Sequence, residues 1–209
     1  MRPLTDTLPK PLLQVRGRPL IAYHIEKLVR SGITDIVINH AWLGNKLLEQ
    51  LGDGRDFGVN LHYSPEQQAL ETAGGIVKAL PLLCPEDAAQ CFIVINGDVF
   101  CDFDFSSLPE QAATGCGHLV MVPNPEHNPD GDFGLKDGHL TLQGPMFTFS
   151  GIALYHRSFF DGLEVRKQPL APLFRQKIAD QCMTGQLHQG QWCDVGTPER
   201  LQILNETEE

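Results

Sequence analysis

Apolar residues recur along this chain with two spacings. Ile21, Ile25, Leu28 and Val29 fall at i, i+4, i+7 and i+8, the stripe of an amphipathic helix that Pro19 opens and Gly32 closes. Leu170, Leu173, Phe174 and Ile178 give the stretch 170–182 a second such face. Helices are also expected over 43–51, from an N-cap at Thr72 to Leu80 with a stop near Pro81, briefly from Ser106, and after Thr197 as N-cap with Pro198 at the first helical position. Between them lie short apolar runs, 33–39, 59–63, 92–95 and 118–122, that read as strands. Strands alternating with helices at this spacing imply βαβ units with right-handed crossovers. Residues 140–142 and 147–155 read as further strands, of antiparallel pairing. The expectation is an α/β fold, a layered domain with a mostly parallel mixed central sheet and helices on both faces. Neither repeats nor a linker break the pattern, so 1–209 reads as a single domain whose acidic end, Glu206, Glu208 and Glu209, frays.

The unbroken run Phe92–Ile95 reads as a strand buried on both faces in the middle of that sheet. Ligands of such sheets sit beyond the carboxyl ends of the strands, and there this chain presents Asn96, Gly97 and Asp98. Asp98 is placed to hold a metal ion and through it a phosphate; Asn-Gly-Asp is equally good turn chemistry. The first 18 residues are rich in Pro and Thr and read as a loop without regular helix or central strand. That loop carries Arg2, Lys10, Arg16 and Arg18 against only Asp6, so it is either an anion site or a solvated tail. Gly74-Gly75 in the first turn of the expected 72–80 helix lets a ligand approach the backbone. Residues 123–138 hold three Pro, three Gly, three Asp and two Asn, the composition of a long functional loop. Polar 186–191 leads into Trp192-Cys193-Asp194-Val195-Gly196.

Composition narrows the partners. At 209 residues and 42% hydrophobic the chain can bury a core, and its net charge of −10 argues against a nucleic-acid backbone or an anionic membrane surface. A phosphorylated small ligand needs only local positive groups or a metal. No apolar run approaches the ~18 residues of a membrane span, and Met1–Thr7 has no apolar signal-peptide core, so a cytoplasmic location is expected. The six cysteines form neither a C-x-x-C pair nor a zinc spacing and read as reduced, buried thiols.

Lys10 in a Pro-rich loop, Asp98 after a strand and Asp194 before a last helix occur within five stretches: 1–15, Leu-Glu-Thr-Ala-Gly-Gly (70–75), Asn-Gly-Asp (96–98), Phe-Ser-Gly-Ile (149–152) and Trp-Cys-Asp-Val-Gly-Thr-Pro-Glu-Arg-Leu (192–201). In this order they resemble the sugar-1-phosphate nucleotidyltransferases over nearly the whole chain, most of all the N-acetylmuramate-1-phosphate uridylyltransferases. The resemblance implies a Rossmann-like fold of the nucleotide-diphospho-sugar transferase type. It implies in-line attack of a sugar-1-phosphate oxygen on the α-phosphorus of a nucleoside triphosphate. It assigns Lys10 to the reacting phosphates, Asp98 and Asp194 to Mg²⁺, Glu71 and Gly74 to the base, and Asn96, Asn124, Gly134 and Gly151 to the sugar phosphate. Glu71 as an exposed first-turn residue favoured by the helix dipole is the plainer reading of that position. Mannose or glucose 1-phosphate as acceptor, and a non-catalytic nucleotide-sugar binder, are the alternatives; a generic α/β interaction domain leaves Lys10, Asp98 and Asp194 unexplained together.

Members of that family begin with a strand, a glycine-rich phosphate loop and an arginine ahead of the stretch matching Met1–Thr5, and this sequence starts at that Met. Without the strand the sheet is expected to carry a gap or a new edge, which invites pairing with another chain. Without the loop its backbone N–H donors are missing from the triphosphate. Weak or absent turnover by the 209-residue chain is the expected outcome, with a homodimer or a displaced N-terminal segment at the gap. Sedimentation and a coupled pyrophosphate assay check it, and a monomer with ordinary Mg²⁺- and UTP-dependent turnover overturns it.

Overall fold

The computed structural model describes residues 1–85 and 90–206. In chain order its regular elements are α1 (Leu4–Thr7), β1 (Gln14–Val15), β2 (Arg18–Pro19), α2 (Leu20–Arg30), β3 (Asp35–His40), α3 (Gly44–Leu51), β4 (Asn60–Pro65), α4 (Glu71–Leu83), β5 (Cys91–Ile95), β6 (Val99–Cys101), β7 (Gly117–Val122), β8 (Phe133–Lys136), β9 (His139–Thr141), β10 (Met146–His156), α5 (Ala171–Ala179), β11 (Met183–Leu187), β12 (Trp192–Asp194) and α6 (Pro198–Glu206). They pack as two compact units, one from 1–69, 96–106 and 191 onward, the other from 70–95 and 107–190.

The first unit is built around α2. Its apolar stripe buries Ile21 and Ile25 with Leu12, Ile38, Leu47, Leu51, Val59 and Leu61. Leu20, at the start of the helix, belongs instead to a second cluster with Leu13, Val15, Phe100, Val195, Leu201 and Leu204. The helix therefore joins the parallel pair β3–β4 to the antiparallel pair β6–β12. Pro19 stands just outside α2 with an extended ψ of 136° rather than within it. The Pro-rich start is a loop apart from the single turn α1 and a 3₁₀ turn at Lys10–Leu12.

The second unit carries a six-stranded sheet in the order β5-β10-β7-β11-β9-β8, with β10 also pairing with β8. Every residue of β7 is buried. Phe92, Leu119, Met121, Tyr155, Phe159, Phe160 and Phe174 form much of the core beside it. The pairings run β5, β7, β11 and β8 one way and β9 and β10 the other. Most strands thus share a direction, yet only β7–β11 is a parallel ladder here, because β10 is wedged between β5 and β7.

Several elements differ from the sequence pattern. The run at β5 is not a central strand: among the described residues it pairs with β10 alone, and only Phe92 is buried. With one neighbour, an apolar run cannot be covered on both edges. The helix expected from Thr72 begins at Glu71, with Leu70 rather than Thr72 as N-cap, and continues through Pro81 to Leu83. β8 lies inside the loop expected over 123–138, and β11 includes Gln186 and Leu187 of a stretch that reads as merely polar. Both pair through backbone groups, which polarity does not disclose. Thr197 does cap α6, its Oγ1 accepting from Arg200 N at 3.3 Å. Glu208 and Glu209 lie outside the described residues.

All six cysteines are free; Cys84 and Cys101 are buried and the other four half-buried. Among the described residues no helix is long and apolar enough to cross a membrane.

His24 of α2 is 5% exposed, and burial, which disfavours the charged ring, brings its pKa down from 6.5 to about 4. Burial lowers the pKa of His118 in β7 too. The unfolded chain takes up a proton on His24 near pH 6.5 that the folded chain refuses until about pH 4. Folding therefore weakens as pH falls through that window and is indifferent to this ring above it. The loss is about 3 kcal/mol across the window. Denaturant unfolding at pH 7, 5.5 and 4 should show His24→Gln losing less stability than the parent; equal losses would show the ring is not responsible.

Candidate active site

β6 and β12 pair antiparallel in the register Val99↔Asp194, Phe100↔Cys193 and Cys101↔Trp192. Val195 N donates to the Asp98 carbonyl at 2.6 Å, and Val195 is fully buried. The ladder thus sets Asp98 and Asp194, from distant parts of the sequence, at the same end of adjacent strands.

Each acid holds a cation. Lys10 Nζ donates to Asp98 Oδ2 at 2.8 Å. The 3₁₀ turn that carries Lys10 is closed by Leu13 N on Lys10 O at 3.0 Å. Gly97 lets this turn come close: a Cβ there would lie 2.9 Å from Pro11 Cγ. Arg200 Nη1 donates to Asp194 Oδ1 at 2.5 Å. Gly196 makes room for that contact, since a Cβ on it would meet Arg200 Nη2 at 2.5 Å. The side chains of Asp98 and Asp194 are 34% and 31% exposed, open to a ligand from solvent. Among the described residues no group of three or more His, Cys, Asp or Glu is arranged to hold a metal. Two half-exposed carboxylates are nonetheless a fitting donor set for Mg²⁺, which takes one or two from protein and fills the rest with phosphate oxygens and water.

Asn96 lies in the same unit, its carbonyl accepting from Val99 N at 3.3 Å in the turn that leads to Asp98. Lys10, Asn96, Asp98 and Asp194 are thus brought together. Glu71, Gly74, Asn124, Gly134 and Gly151 belong to the other unit. Glu71 opens α4 with φ 57° and pairs with Lys167 at 3.4 Å. What approaches Gly74 is the chain itself: Gln168 O accepts from Ala73 N and Gly74 N at 3.2 and 3.4 Å, and a Cβ on Gly74 would lie 2.0 Å from Arg166 O. Asn124 staples its loop, donating to Pro129 O and Met146 O and accepting from Thr148 Oγ1. Gly134 packs where a Cβ would meet Thr141 Oγ1 at 2.3 Å. Gly151 takes φ 84° at a bulge in β10, where the register against β7 shifts between Phe149 and Ile152.

Arg200 is a site residue that pattern reading passed over. Its signal was the position one turn after the Thr197 cap, which turns its side chain back toward Asp194. His24 and Lys27 lie in α2 outside its apolar stripe, where spacing gives no sign of a role.

A lysine and an arginine beside two carboxylates, next to the β6–β12 ladder, form a half-exposed charged cluster of a kind that suits a phosphorylated ligand with a divalent cation. The chain belongs to the nucleotidyl transferase family, whose profile matches residues 1–137. It is 50% identical to the N-acetylmuramate alpha-1-phosphate uridylyltransferase of Neisseria meningitidis serogroup B, over 96% of this chain and 90% of that one. It is 30% identical to the mannose-1-phosphate guanyltransferase of Gibberella zeae over 95% of its length, spanning 58% of that protein. Among solved structures, HddC from Yersinia pseudotuberculosis complexed with GMP-PN shares the fold, with a TM-score of 0.76 at 20% identity over 99% of this chain and 92% of that one.

Because Gly97 sets the spacing between the Lys10 turn and Asp98, Gly97→Ala should push the two apart while leaving the core alone. Turnover is expected to drop by about tenfold or more, with the thermal midpoint little changed. Kinetics and a melting curve on one preparation check this.

Proposed function

We propose that this protein transfers the uridylyl group of UTP to N-acetylmuramate 1-phosphate and releases pyrophosphate, a cytoplasmic step that fits peptidoglycan recycling. It is a sugar-1-phosphate nucleotidyltransferase, and both units together are read as one nucleotidyltransferase domain. The observation that carries the choice of substrates is the 50% identity to the Neisseria uridylyltransferase across nearly the full length of both chains.

The reaction forms a bond between the sugar-phosphate oxygen and the α-phosphorus and breaks the bond from that phosphorus to the bridging oxygen of pyrophosphate. Positioning and charge neutralisation are most of what a protein contributes to such a step. Lys10 is the catalytic residue: its ammonium, held on Asp98, exchanges that partner for a phosphate oxygen when the triphosphate arrives. Asp98 and Asp194 hold Mg²⁺, which when bound neutralises the phosphates and polarises the α-phosphoryl group. Arg200 keeps Asp194 oriented. Glu71 is read as the group that faces the base, its carboxylate leaving Lys167 to accept the N3–H of uracil, while Gly74, closed off by Arg166 and Gln168, serves to seat the start of α4. Asn96, in the turn that leads to Asp98, is read as the residue on the side of the sugar phosphate. Among the described residues β5 pairs with β10 alone, and a strand edge left this way supports a homodimer as the working form. Mannose 1-phosphate with GTP is the second reading, supported by the 30% identity to the guanyltransferase.

A panel of N-acetylmuramate, mannose and glucose 1-phosphates against the four common triphosphates, read by pyrophosphate release, tests this. The expected best pair is N-acetylmuramate 1-phosphate with UTP. Asp98→Asn and Asp194→Asn should each lower turnover by about a hundredfold or more, and Glu71→Ala should erode the preference for UTP. Turnover of no pair, together with tighter binding of a nucleotide sugar than of UTP, would instead make the protein a nucleotide-sugar binder.

A further inference from the structure

β6 has two edges, and only one of them faces a strand. Asp98 O and Asp102 N both bond toward the β12 side, to Val195 and Gln191. Backbone direction alternates along a strand, so the carbonyls of Val99 and Cys101 point the opposite way. Among the described residues no strand pairs there. Two side chains of α2 take the place of one: His24 Nε2 lies 2.6 Å from Val99 O, and Lys27 Nζ donates to Cys101 O.

The fit is geometric. Residues three apart on a helix lie side by side, about 5–6 Å between Cβ atoms. Carbonyls two apart on a strand are about 6.7 Å from each other. A helix laid along a strand can therefore meet two successive outward carbonyls with an i, i+3 pair. A carbonyl only accepts, so His24 must carry its proton on Nε2. Its Nδ1 is then a bare lone pair, buried without a partner among the described residues. Burying an unpartnered nitrogen works against stability. An aliphatic side chain in its place would avoid that cost but leave the Val99 carbonyl without a donor. The ring is thus spent on the backbone of the residue next to Asp98.

We infer that His24 and Lys27 are positioning residues for the Asp98 carboxylate, clamping β6 from the edge opposite β12. The β12 ladder fixes Asp98 relative to Asp194, and the clamp stops β6 from sliding or rotating on that ladder. The inference rests on the reading of Asp98 as a metal ligand, and it places outside the site two residues that set the site's affinity for a divalent cation. Groups that orient metal ligands from behind typically change metal affinity by about 10–100-fold when removed.

The test uses the full chain with Mn²⁺ as probe, the free ion followed by its electron paramagnetic resonance signal. His24→Leu and Lys27→Met are each expected to raise the Mn²⁺ dissociation constant about tenfold. Lys27→Arg, which still offers a donor to Cys101 O, should restore the parent value. Exchange of the Val195 amide, which donates to Asp98 O, should speed up in both clamp variants and not in Lys27→Arg. If His24→Leu fails to fold, the half-buried Lys27 carries the test alone. Unchanged Val195 exchange and Mn²⁺ affinity within twofold of the parent in folded Lys27→Met overturn the inference. Asp98→Asn separates the two levels of the argument. Parent-like Mn²⁺ binding by that variant removes Asp98 as a ligand, and the clamp then stands or falls on Val195 exchange.

Discussion

Three residue pairs between β6 and β12 hold the whole candidate site in register. Asp98 and Asp194 come from opposite flanks of a long stretch of chain, and only this short ladder makes them neighbours. A ladder of that length is weak by itself. It is stabilised by what surrounds it: Phe100 and Val195 are sealed in a core with Leu13, Val15, Leu20, Leu201 and Leu204. The same core anchors the loop behind Lys10 through Leu13 and the helix behind Arg200 through Leu201 and Leu204. One apolar cluster therefore sets all four charged groups, and their ion pairs need to contribute little to folding, as expected of half-exposed pairs.

The parts of the fold legible in the sequence were those written in side-chain spacing. The stripe of α2, the alternation of strands with helices, and the Thr197 cap each have a local cause and appear where the pattern puts them. What escaped depends on partners distant in sequence. β5 reads as a central strand because Phe92–Ile95 is unbroken and apolar, yet whether a strand is central is decided by its neighbours. β8 and β11 are recognisable only through the ladders they join. Thr72 has the chemistry of a cap but sits one residue inside a helix that starts at a positive φ on Glu71, which propensity does not anticipate.

The site divides in the same way. Lys10, Asp98 and Asp194 stand in short motifs, so type and order singled them out, and folding brings them together. Arg200, His24 and Lys27 act on a carboxylate or on carbonyls that face them only after folding. Gly74 shows a subtler difference. Its lack of a side chain is used, but by the carbonyl of Arg166 and the backbone at Gln168.

The interleaving of the two units also governs when the site comes into being. The unit with the 70–95 and 107–190 segments can close once residue 190 has been made, whereas the other waits for Trp192–Asp194 and the start of α6. During synthesis Lys10 and Asp98 emerge early and remain without Asp194 and Arg200 until residues 192–200 have followed. A nascent chain arrested before that point has most of its hydrophobic interior and none of its paired carboxylates. The charged cluster therefore completes only after every segment of the other unit has been made.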